Sequence, residues 1–94
     1  MREYEDLIIF DPEIGEAMID KRVEELQKLI NKYGEFLKLD KWGTRQLAYP
    51  IRKKEKGYYV LLEFKAESEL LSELDHKLKL SKDIMRHCII KRGE

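Results

Sequence analysis

Two short segments of this chain, Leu7-Ile8-Ile9-Phe10 and Tyr58-Tyr59-Val60-Leu61-Leu62, are apolar at consecutive positions, and this restricts the fold more than any other feature. Side chains alternate across a strand, so a run without polar residues puts hydrocarbon on both faces at once. Such strands belong in the middle of a sheet, where neighbours or partners cover each side. The β-branched and aromatic content of both runs, and their length, favour strand over helix.

The flanking residues supply the remaining elements. The first run closes a strand over residues 2–10, stopped by Asp11-Pro12. From Ile14 onward the period changes: Ile19, Val23, Leu26, Ile30 and Tyr33 recur at three- and four-residue steps, which predicts an amphipathic helix. Asp11 or Glu13 suits its amino end, Lys28 and Lys32 suit its carboxyl end, and Gly34 stands where a left-handed cap is expected. A second strand is expected over 35–49, with Phe36, Leu39, Trp42 and Leu47 for burial. Their spacing is not a clean alternation, so Trp42-Gly43 marks a bulge or bend. Pro50 marks the end of that strand or an edge position, Arg52-Lys53-Lys54-Glu55-Lys56 form a cationic turn, and Gly57 is expected to let the chain reverse into a third strand over 58–64. Ser68 is the expected N-cap of a helix over 68–80 that buries Leu70 or Leu71, Leu74 and Leu78. A fourth strand covers 83–91. Repeats, linkers and low-complexity segments are absent from the sequence.

The order strand, helix, strand, strand, helix, strand predicts an α+β sandwich, βαββαβ, formed by one domain over 1–94. Two right-handed crossovers interleave into a four-stranded antiparallel sheet with both helices on one face and the first and third strands central. Ile8, Phe10, Val60, Leu62 and Phe64 then face the helices. Leu7, Ile9, Tyr59 and Leu61 face the other way, an apolar patch that a partner is expected to cover.

Charge does not favour a partner globally, because 19 Lys and Arg balance 19 Asp and Glu. Any preference must come from segregation. A single cysteine, Cys88, excludes an internal disulfide, and the amino terminus has no apolar signal region, so a reducing, cytoplasmic setting is expected. No apolar run approaches the roughly 20 residues a membrane span needs. His87 and Cys88 are adjacent in a strand and point to opposite faces, so they form no nucleophile and base pair; Cys88 reads as a small core residue and His76 as a solvated one. Neither a metal site nor a cofactor is indicated. The loop Phe10-Asp11-Pro12-Glu13 offers carboxylates and a proline where an acyl-phosphate hydrolase on this architecture would cradle phosphate, which weighs against that chemistry.

The cations are better placed. Arg2, Arg45, Arg52, Lys53, Lys54, Arg86, Lys91 and Arg92 fall near strand ends and the hairpin tip, while most acids sit on the helices and in 63–75. Two readings stay open for Lys53, Lys54 and Lys56: a solubilising turn or contacts to RNA phosphates. Arg86, in a mostly apolar strand, needs an acceptor, either an anion or an internal carboxylate such as Glu5 or Asp6. Tyr4 and Trp42 are either base-stacking platforms or half-core aromatics.

Taken together, Trp42-Gly43 with Arg45, Leu47-Ala48-Tyr49-Pro50-Ile51, the basic turn into Gly57-Tyr58-Tyr59-Val60, Arg2 with Tyr4-Glu5, and Ile84-Met85-Arg86-His87 with Ile90-Lys91 resemble the bacterial small-subunit ribosomal protein family conventionally numbered six. The resemblance runs end to end. It implies a ferredoxin-like domain of the 30S subunit, without enzymatic activity, that is monomeric when isolated and binds the central domain of small-subunit ribosomal RNA together with ribosomal protein eighteen. Arg2, Tyr4, Arg86 and Lys91 match family positions expected near RNA. Asp6 departs from the family, standing where an apolar residue is usual. A homodimeric ligand-binding or regulatory module, pairing its open sheet faces, is the competing expectation.

Overall fold

The computed structural model describes residues 1–92; the last two positions of the expected 1–94 domain lie outside them. Both doubly apolar runs become central strands. β1 spans Arg2–Phe10 and β3 spans Lys54–Ala66, and they pair antiparallel from Arg2 with Ala66 to Phe10 with Tyr58. β2, Gly34–Ile51, flanks β3, and β4, Ile84–Lys91, flanks β1, which gives the sheet order β2-β3-β1-β4. α1, Glu16–Tyr33, and α2, Ser68–Leu80, complete the βαββαβ order and cover one face.

The main core lies between that face and the helices. Ile8, Phe10, Val60, Leu62 and Phe64 of the sheet meet Ile19, Val23, Leu26 and Ile30 of α1 and Leu70, Leu74 and Leu78 of α2. Each of these side chains is buried, and full burial of an aliphatic or aromatic side chain contributes about 1.5–3 kcal/mol. Tyr33, expected in the α1 stripe, is 44% exposed instead; it ends the helix, past the last core residue Ile30, with Lys32 Nζ 5.4 Å from its ring centroid.

Local expectations fail in informative ways. Asp11 does cap an amino end, accepting from the Glu13 amide at 3.0 Å, but the end belongs to a separate 3-10 turn over Pro12–Ile14; Gly15, at φ 87°, divides it from α1. Gly34 has extended backbone, φ −159°, and is not a left-handed cap. Its role is steric: a Cβ there would lie 2.2 Å from the Lys65 carbonyl oxygen. Glu67, not Ser68, occupies the N-cap of α2 and offers no side-chain bond.

The hairpin reversal also falls elsewhere. Ile51 pairs with Lys54, so the loop is Arg52-Lys53 alone, and both take positive φ, 52° and 65°. Positive φ at both loop positions is the type I′ geometry, whose twist matches that of the flanking strands. Gly57 lies within β3, where a Cβ would sit 2.4 Å from Ile9 Cγ2. The bulge expected at Trp42-Gly43 is present, as a register shift between Lys41 and Gly43 with Gly43 at φ 86°.

Candidate interface on the open sheet face

Strand register decides which side chains reach the uncovered face. Leu7 pairs with Leu61 and Cys88, and Ile9 with Tyr59 and Arg86, so all six share that side of the sheet. Leu7, Tyr59 and Leu61 are half-buried. Ile9 is only 8% exposed, because Leu47 of β2 and Met85 of β4 close over it, with Ile51 and Tyr59 around them. This second, smaller core is the chain's own cover for part of a patch expected to be open. Cys88, expected in the core, is exposed: it lies on the open face of the edge strand β4, outside the small core around Ile9.

Next to the apolar patch lies an aromatic platform. Trp42 projects from the bulge, its ring nearly parallel to that of Tyr59, 8° apart at 6.1 Å between centroids. Its Nε1–H donates to Asp40 Oδ2 at 3.2 Å, and the Arg45 guanidinium stands 5.5 Å from its ring centroid. Stacked rings add about 0.5–1.5 kcal/mol beyond burial, and an exposed cation over a ring about 0.5–1 kcal/mol. Trp42, expected for burial, is thus 38% exposed and stacked with Tyr59.

The cations divide by what already occupies them. Arg52 Nη1 and Nη2 donate to the carbonyl oxygens of Lys82 and Ile84, both at 3.1 Å, and so tie the hairpin turn to the entry of β4. Lys54 Nζ lies 2.8 Å from Glu13 and 3.1 Å from Asp11. Those two carboxylates hold the ammonium pKa above its ordinary value; in return Lys54 and the Glu13 amide outweigh the upward push of burial on Asp11 and lower it. Arg92 pairs with Glu63 and, at 3.6 Å, with Glu5. Arg86 donates to the Tyr49 hydroxyl, which raises its pKa, and its guanidinium sits 5.8 Å from that ring. Neither Glu5 nor Asp6 is its acceptor: Asp6 faces the helices, and Glu5 serves Arg92.

Arg2, Arg45, Lys53 and Lys91 are exposed, and among the described residues no carboxylate pairs with their side chains. Register separates the set into two groups. Arg45, Arg52, Lys53, Lys54 and Arg86 gather towards the hairpin end, whereas Arg2, Lys91 and Arg92 lie at the other. Arg86 opposes Ile9 and Lys91 opposes Tyr4, five residues apart on β1, or about 17 Å. Tyr4 packs on the main core with its ring 6.2 Å from that of Phe64, and it shares the helix-side face with Arg2 and Lys91. The cations near strand ends and the hairpin tip therefore form two separate corners. The commitment of Arg52, Lys54 and Arg92 to internal acceptors depends on register and turn type, which residue spacing did not reveal.

The fold and this face define a ferredoxin-like α+β sandwich whose open sheet surface carries apolar, aromatic and cationic side chains. A family profile described as "Ribosomal protein S6" matches residues 3–91. The chain is 45% identical, over the full length of both, to small ribosomal subunit protein bS6 of Desulforamulus reducens. It is 39% identical to the bS6 protein of Carboxydothermus hydrogenoformans, covering 100% of this chain and 99% of that one. The crystal structure of 30S ribosomal protein S6 from Thermotoga maritima superposes with a TM-score of 0.91 at 29% identity, over 97% of this chain and 87% of that one. The chain belongs to the ribosomal protein S6 family. It is accordingly a structural protein of the small ribosomal subunit, a cytoplasmic particle in bacteria, and not an enzyme. Among the described residues, no helix is long and apolar enough to cross a membrane.

Proposed function

We propose that this protein binds the central domain of small-subunit ribosomal RNA jointly with ribosomal protein eighteen, acting as a single domain that is monomeric until it meets them. The observation that carries this is the sheet face opposite the helices: Leu7, Tyr59 and Leu61 remain half-buried, with the Trp42 platform beside them and Arg45 and Arg86 exposed on the same side. Half-covered apolar surface suits a protein partner, and exposed cations suit phosphate.

Within the candidate set, Arg45, Lys53, Arg86, Arg2 and Lys91 are assigned to RNA phosphates. Arg52, Lys54 and Arg92 shape the surface through the internal bonds they make. Tyr4 positions Arg2 and Lys91 by packing on Phe64. Leu7, Tyr59 and Leu61 receive the protein partner, and Ile9 supports them from beneath.

Five scattered phosphate contacts give weak affinity alone, whereas a heterodimer pools its cations on one rigid surface. Salt-titrated binding to a central-domain RNA fragment tests this. The expected result is tight binding only with ribosomal protein eighteen present, with affinity falling as salt rises. No binding at low salt in either case contradicts the proposal, and sedimentation of the isolated protein as a stable dimer favours the homodimeric alternative.

A further inference from the structure

β4 is an edge strand whose helix side carries, beside the core residues Ile84 and Ile89, the ring of His87. His87 is nearly enclosed there, its side chain 9% exposed, with each ring nitrogen facing a different carboxylate. Nδ1 lies 3.3 Å from Oδ1 of Asp6 on β1, and Nε2 lies 2.9 Å from Oδ1 of Asp75 on α2. Asp6 is fully buried, between Leu62 of β3 and Ile89 of β4 in register, and its Oδ2 has no hydrogen-bond partner. The second oxygen of Asp75 is 3.1 Å from Lys79 Nζ.

A neutral imidazole has one N–H and can donate to one of these acids; an imidazolium donates to both. The cage is therefore complementary to the charged ring. An enclosed carboxylate with an orphan oxygen and no counter-charge is strongly penalised, so Asp6 depends on that charge.

We propose that Asp6, His87 and Asp75 form a proton-operated clasp, which fastens the edge strand β4 to β1 and α2 while His87 carries both ring protons and loosens it when one is lost.

The other charged groups around the clasp are Lys79 of α2, Arg52 of the hairpin turn and Arg86 of β4, which line the same groove. None of the three bonds to either ring nitrogen of His87. Asp6, followed by Asp75, raises the His87 pKa above its ordinary 6.5 despite the opposing effect of burial. Stability from this source is complete below 6.5 and is lost as pH rises through the higher folded value. Burial raises Asp6 as well, so its ionisation also subtracts stability as pH climbs.

The clasp does not rest on the RNA reading, and its test uses the protein alone. The ring of His87 is titrated by NMR, with urea unfolding and β4 amide exchange followed from mildly acidic to mildly alkaline pH. His87 is expected to titrate above its ordinary 6.5. Asp6→Asn, which keeps shape and removes charge, should lower the His87 midpoint, each unit being about a tenfold loss of proton affinity. The native protein should lose stability, and β4 amides should exchange faster, on the alkaline side, while D6N shows a flatter profile. A His87 midpoint at or below 6.5 overturns the proposal even if D6N does not fold. An identical alkaline loss in folded D6N overturns it too.

Discussion

At the residue scale, backbone space is as decisive as side-chain chemistry. Gly34 and Gly57 were visible in the sequence, but as a cap and a turn; both are instead places where another part of the chain comes too close for a Cβ. Local sequence cannot show this, because the crowding atoms belong to Lys65 in one case and to Ile9 in the other. Gly34→Ala should destabilise by about 1–3 kcal/mol, the usual cost of overpacking, since a backbone carbonyl cannot yield as a flexible side chain can. Urea denaturation checks this; a change under about 0.5 kcal/mol, the range of an innocuous surface substitution, contradicts the steric reading. Asp6 shows the same limit. The sequence marks it as an odd residue in an apolar strand, yet its partner His87 lies 81 positions away.

At the element scale, the two strands apolar on both faces, the period change into α1 and the Leu70, Leu74, Leu78 stripe were legible because each is a local pattern. The hairpin was legible as a hairpin, though not its loop. Arg52 and Lys53 carry left-handed backbone that Asn-Gly ordinarily supplies, and for residues with a Cβ this costs about 1–2 kcal/mol each. Lys53→Gly should relieve that cost at a site whose side chain is exposed, and so raise stability by up to about 1 kcal/mol, read as a higher melting temperature. The same substitution should weaken RNA binding in the presence of ribosomal protein eighteen. Arg52→Ala should do the reverse in emphasis: it frees the turn from the Lys82 and Ile84 carbonyls, and faster exchange of the amides around 51–54 should accompany any loss of affinity. Unchanged exchange in R52A would place Arg52 with the phosphate-binding cations instead.

For the whole molecule, charge is balanced in number but not in commitment. Asp11 is held below the ordinary carboxylate range once the Glu13 amide and Lys54 outweigh burial, and Asp75 is held down first by Lys79 and then by His87. A carboxylate lowered by folding contributes stability that is present above its ordinary value of 3.8 and lost as pH falls through the lower folded value. Urea midpoints should therefore drop below about pH 4, and Lys54→Met should blunt the part due to Asp11. An acid limb unchanged in K54M contradicts the pairing.

The architecture follows from a simple imbalance: two helices cover one side of the sheet, and the small core around Ile9 covers only part of the other. That leftover surface is the proposed meeting place with RNA and protein, and Cys88, the only cysteine, is exposed on it beside Leu7. The most direct measurement is the alkylation rate of Cys88, resolved by mass spectrometry, in the free protein and in a complex verified by sedimentation. Fast modification when free and at least about tenfold protection in the complex are predicted, as expected for a site removed from water in an interface core. Equal rates in both states would place the interface elsewhere and contradict the account.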